Sequence, residues 1–187
     1  MTTAITPALT GSYTIDPAHS RIGFVARHAM VTKVRGSFNS FDGKVEVDAD
    51  QPERSSVDLT IDVDSIDTRN ADRDGHLRTN EFLDVAAHPT ITFRSTSAFL
   101  DGDKLDLVGD LTVRGVTQNV TIPFSFEGSA KDPFGNHRLG FEGEHTISRK
   151  DFGITWNAAL ETGGVLVGDK IVLEFEISLV KNAPEAA

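Results

Sequence analysis

The feature that most limits the folds open to this chain is a two-residue period of apolar and polar side chains that recurs almost throughout its length. Such alternation marks a strand with one face buried and the other wet. Val57, Leu59, Ile61 and Val63 alternate with Asp58, Thr60, Asp62 and Asp64, giving one strand an aliphatic inner face and an acidic outer one. Ile22, Phe24, Ala26 and His28 share a face, and Val34, Gly36 and Phe38 continue the pattern. After Phe38 the phase changes, because Phe41, Gly43, Val45 and Val47 fall on the other parity. A bulge near Asn39 and Ser40 would restore the inward face and bend the strand.

Further along, Ile91, Phe93, Ser95, Ser97 and Phe99 read as an inner face that turns at Asp101-Gly102 into Leu105, Leu107, Gly109, Leu111 and Val113. Arg114-Gly115 makes the next turn, into Val120, Ile122, Phe124 and Phe126, where an outward Pro123 suggests an irregular or edge position. Leu139, Phe141, Gly143, His145 and Ile147 form another inner face, and Ile171, Leu173, Phe175, Ile177 and Leu179 the last. About eight strands joined mainly by turns predict an all-β, antiparallel eight-stranded barrel, a size that can just hold one small ligand. Residues 67–85 break the period and place Leu77, Phe82 and Leu83 at helix-like spacing, which predicts a short helical insertion or turns. Residues 149–170 read as a long connection.

A chain of 187 residues suffices for one such domain, expected over residues 12–181 between a flexible segment (1–11) and a frayed tail (182–187). The net charge of -10 and pI near 4.9 argue against nucleic acid and against anionic membrane surfaces, since no Lys/Arg cluster stands out. The absence of cysteine removes disulfides, thiolate metal sites and cysteine nucleophiles. No segment has the length or apolarity of a membrane span, and the first residues lack the pattern of an export signal, so a cytoplasmic location is expected.

Several ordered blocks are distinctive. Tyr13-Thr14-Ile15-Asp16-Pro17-Ala18-His19-Ser20 opens the chain, followed by Phe24 and His28. Asp64-Ser65-Ile66-Asp67-Thr68 leads to Arg73-Asp74-Gly75-His76-Leu77, and Glu81-Phe82-Leu83-Asp84 leads to His88-Pro89-Thr90-Ile91-Thr92-Phe93. Gly109-Asp110-Leu111-Thr112-Val113-Arg114-Gly115-Val116-Thr117 and Ser148-Arg149-Lys150-Asp151-Phe152-Gly153-Ile154 complete the set. In order and spacing they resemble the YceI-like family, often called polyisoprenoid-binding proteins. The resemblance implies an extended lipocalin-like barrel whose long apolar tunnel holds a polyisoprenoid or similar chain amphiphile, commonly in a homodimer. It implies no catalysis and no cofactor.

The inward positions supply the candidate ligand-binding residues. Phe24, Phe38, Phe93, Leu111, Ile122, Phe124 and Phe141 would form apolar walls. Ala26, Ser95, Gly109 and Gly143 are small, and would leave room for a chain to thread past. His28 and His145 could donate a hydrogen bond to a head group, against the plainer reading of core histidines bonded to protein or water. A packed core without a cavity is the competing reading of the whole interior. Two other functions compete. Asn70, Asp72, Asp74, Gly75 and Glu81 occupy slots of a calcium-binding loop, although a strand precedes them where such a loop needs a helix. The 28 Asp and Glu residues could also conceal the acid pair of a small hydrolase, without any recognisable catalytic motif.

Overall fold

The computed structural model describes residues 4–184, and the outermost residues of the segments expected to be flexible or frayed lie outside them. The alternating stretches form β1 (Gly11–Ile15), β2 (Arg21–His28), β3 (Thr32–Phe38), β4 (Phe41–Val47), β5 (Ser56–Asp62), β6 (Ile66–Asp67), β7 (Thr90–Asp101), β8 (Lys104–Val113), β9 (Val116–Lys131), β10 (His137–Ser148) and β11 (Lys170–Lys181). Every ladder is antiparallel. The first six strands pair up end to end into interrupted staves. β1 and β2 both lie along one edge of β11, β4 and β3 follow against them, and β5 and β6 come next. With β7 to β11 this makes an eight-strand closed barrel, sealed by the pairing of β1 with β11.

Local chemistry sets the interruptions. Between β1 and β2, Pro17–His19 forms a 3-10 turn whose N-cap, Asp16, accepts a hydrogen bond from the Ala18 N–H. At Asn39 and Ser40, where the parity change predicts a bulge, the strand is interrupted outright between β3 and β4. The Arg114-Gly115 turn has the positive φ angles of a two-residue hairpin, 50° and 73°. The helical insertion is α1 (Ala71–Leu77), N-capped by Asn70, which accepts from the Arg73 N–H. Ahead of β1, where the sequence suggests a loose segment, Pro7–Leu9 makes a 3-10 turn, and Ile5 and Leu9 pack against the core.

Two irregularities are less predictable. In β7 the register against β8 shifts between Ser95 and Ser97, so Ala98 and Leu100 turn inward while Phe99 is 61% exposed. The inner face read from the sequence is therefore correct through Phe93 and inverted beyond the bulge. The β9–β10 ladder starts at His137↔Lys131 and stops at Gly143↔Phe124, although both strands continue. Pro123 accounts for the stop. From the Val113↔Val116 pair at the tight turn, even-numbered β9 residues direct N–H and C=O toward β8, as the Phe126 N–H does to Asp103 O at 2.7 Å. Odd-numbered residues direct theirs toward β10, so the next rung needs an N–H that Pro123 lacks. A seam in the barrel wall is left between the first half of β9 and the last part of β10.

Candidate functional site

The inner faces enclose a cavity of about 170 Å³. Its wall is hydrocarbon from β1 to β5 and β7 to β11, and among the described residues the only lining side chains with heteroatoms are Asp48, Ser55 and Ser56. Those polar residues gather at the β4–β5 connection together with Ala49, Pro52 and Ile5, and so mark one end of the barrel. Asp48 is engaged locally, accepting from the Gln51 N–H at 2.9 Å. Among the described residues no lysine, arginine or histidine lines the cavity.

The opposite end is plugged. Phe82, Phe152 and Ile154 belong to the buried core but not to the cavity wall. Trp156 packs on Phe82 and on His76, with ring centroids 5.3 Å and 4.8 Å apart. Arg149 fastens this plug. Its side chain is buried, at 3% relative exposure, and its guanidinium donates to the carbonyl oxygens of Gly168, Ile154, Trp156 and Val167. Burial lowers its pKa, and Asp169, 3.6 Å away, opposes that shift. Arg114 ties the β8–β9 turn to the plug through Asn80 O and Gly153 O.

Of the residues expected to form the lumen, Phe38, Phe93, Leu111, Ile122, Phe124 and Phe141 line the cavity. The others do not, each for a local reason. Phe24 covers Gly36 on β3 and leans on Phe38, with centroids 5.7 Å apart. Ala26 pairs with Val34 near the end of its hairpin, beyond the cavity wall. His28 is exposed at the hairpin's end, bridged to Val167. His145 keeps inward parity and is half-buried, with its pKa lowered by burial, but it stands beside the seam rather than on the cavity wall.

The small residues correct the sequence reading most. Gly109 and Gly143 face inward, but neither opens space. A Cβ on Gly109 would lie 2.5 Å from the Phe93 ring, and one on Gly143 would lie 2.6 Å from the Phe124 ring. Each glycine is a seat for an aromatic ring from the neighbouring strand, which fills the gap and packs the wall. Ser95 sits at the bulge, where its hydroxyl accepts the Val57 N–H at 2.8 Å. It satisfies backbone at the strand crossing and does not line the cavity.

The calcium-loop reading fails on geometry. Residues 71–77 are helical, Asp74 is turned inward to accept from the Thr68 N–H and hydroxyl, and Glu81 is bonded to His76. Among the described residues no group of three or more His, Cys, Asp or Glu side chains could hold a metal ion.

The YceI-like domain model matches residues 13–179. The chain is a member of the YceI-like family. This YceI-like chain is 44% identical over 150 residues to a UPF0312 protein of Pectobacterium atrosepticum, covering 79% of the chain and 78% of that protein. It is 43% identical over 150 residues to Protein YceI of Salmonella newport, with the same 79% and 78% coverage. Among solved structures, Burkholderia cenocepacia BcnA superposes with a TM-score of 0.77 at 24% identity, over 88% of this chain and 98% of that one. A polyisoprenoid binding domain from Saccharophagus degradans superposes with a TM-score of 0.71 at 14% identity, over 91% of this chain and 98% of that one. At those identities the likeness establishes the fold, the extended lipocalin-like barrel that the sequence blocks imply.

Sequence reasoning missed the role of Arg149, which lay within a recognised block without any visible chemistry. It also missed the mouth. Asp48, Ser55 and Ser56 occur in a polar loop like any other, and only the closed ring sets them at the end of an apolar lumen.

Proposed function

We propose that this YceI-like protein binds a polyisoprenoid or similar long-chain apolar lipid in the barrel lumen and carries or sequesters it without bond chemistry. The observation that carries this reading is the lumen itself, a hydrocarbon wall whose polar side chains, among the described residues, collect at one end. Such a cavity excludes a buried charge and favours chain carbons with the head group toward the mouth. The name of the Saccharophagus degradans domain supports the ligand class. The cavity of this chain, about 170 Å³, suits a ring-sized hydrocarbon, so a long chain must swing aside rings such as those of Phe93 and Phe124. Each buried CH2 contributes about 0.8 kcal/mol, so even a short length of chain offsets such a rearrangement.

Mass spectrometry of organic extracts from gently purified protein tests this. A chain lipid in near-stoichiometric amount is expected, and Leu107→Trp, which places an indole in the lumen, should abolish uptake of an added polyprenol. Extracts without lipid, together with no polyprenol uptake by the parent protein, would overturn the reading.

A further inference from the structure

The net charge of -10 averages over a fold that separates its charges. None of the 28 Asp and Glu residues falls between positions 17 and 41, which hold Arg21, Arg27, Lys33 and Arg35. This stretch contains the β2–β3 hairpin. At its base Arg21 and Arg35 share one carboxylate, Glu174. Nearer the tip, Arg27 and Lys33 are direct cross-strand partners, both exposed, and neither forms an ion pair among the described residues. Like charges directly opposite each other weaken a hairpin.

The turn between them is equally unfavourable taken alone. Ala29 and Met30 have φ angles of 50° and 64°, a conformation for which asparagine and glycine are preferred. The strained turn displays Met30 at 62% and Val31 at 74% exposure. Beside it lies the loop of residues 157–168, whose Val165 is 38% exposed and whose Gly164 contacts the Met30 sulfur region. An apolar knob is thus flanked by two cations without counter-charges. Stability would favour neither feature, and together they match the two-part chemistry of an anionic lipid surface.

We propose that the β2–β3 hairpin docks this protein on anionic lipid membranes, with Met30 and Val31 entering the headgroup–acyl boundary and Arg27 and Lys33 meeting lipid phosphates. The surface is separate from the lumen. Glu161, the only charged residue of the adjoining 157–168 loop, works against the arrangement.

Vesicle flotation at low ionic strength tests the proposal. The parent should float with vesicles of mixed phosphatidylglycerol and phosphatidylcholine and not with phosphatidylcholine alone. Arg27→Glu with Lys33→Glu should weaken binding by roughly tenfold or more, and Glu161→Gln should strengthen it. Ala29→Asn with Met30→Gly relieves the strained turn while removing an apolar side chain, so it should raise the melting temperature and still weaken binding. Leu107→Trp, with its obstructed lumen, should float like the parent, which separates docking from lipid uptake. No flotation of the parent with anionic vesicles, or hairpin variants that float as well as the parent, would overturn docking. So would loss of flotation in Leu107→Trp, or capture by an acidic polypeptide such as polyglutamate without vesicle binding.

Discussion

The ring of Phe124 on β9 lies against the backbone of Gly143 on β10, its direct ladder partner and the last rung before the seam. Its other neighbour is Phe175, whose ring centroid is 5.7 Å away. A Cβ on Gly143 would meet Phe124 Cδ1 at 2.6 Å and Pro123 O at 3.0 Å, so the ring and strand together leave no room for a methyl group. Gly143→Ala should therefore destabilise the protein by about 1–3 kcal/mol, read from the urea midpoint. Adding Phe124→Leu should recover part of the loss, because the crowding belongs to the pair. An unchanged midpoint for Gly143→Ala would show that the ring is free to leave its seat.

Ser95 should behave as a backbone partner. Ser95→Ala leaves the half-buried Val57 N–H without its acceptor and should cost about 1 kcal/mol, with polyprenol uptake unchanged. A variant as stable as the parent but with altered uptake would place the hydroxyl in the lumen.

Arg149→Met keeps much of the side-chain volume but deprives the buried carbonyl of Ile154 and the half-buried carbonyls of Trp156, Val167 and Gly168 of their donor. Losing that network should cost roughly 3–5 kcal/mol, comparable to breaking a buried ion pair. Thermal unfolding measures it, and near-parental stability would show that the plug holds without its arginine.

Acid should act in two steps. Burial lowers the His145 pKa below the ordinary 6.5, so the unfolded chain takes up that proton first. Stability present above pH 6.5 should fall as the pH drops through that value toward the lower folded one. The carboxyl of Asp16 is held below its ordinary 3.8 chiefly by Arg138, and that of Asp132 by Asn136 and then Arg138. Their contribution, full above 3.8, is lost only as the pH falls below that value toward their folded pKa values. His145→Leu should flatten the upper step in a melting-temperature profile and leave the lower one. An upper step that survives in His145→Leu would assign it to another group.

Strand identity and most of the inner face were legible in the sequence because a two-residue period has only two phases, and buried strands leave little ambiguity. Leu107, Leu111 and Ile122 follow directly from that logic, as does the break at Asn39 and Ser40, where both sides carry strong patterns. The bulge at Ser95 and Ser97 was not legible, since Phe99 on one phase and Leu100 on the other offer nearly equal apolarity. The glycines misled for a related reason. A glycine on an inner face is a gap in one strand, and only cross-strand register shows that Phe93 fills one and Phe124 another. Arg149 could not be distinguished from a surface arginine without the carbonyls that converge on it from distant parts of the chain.

The closure of the barrel fixes an order of events during synthesis. β11 contacts β10 along one edge and β1 and β2 along the other, so strands from both ends of the sequence wait for the same late segment. A nascent chain that has not yet released residues 170–181 is a trough, with bare strand edges on either side and its apolar lining open to water. Such edges invite pairing with other chains. Slow translation through this last stretch lengthens the time the trough stays open, and β11 is thus the strand whose arrival ends the chain's exposure to aggregation.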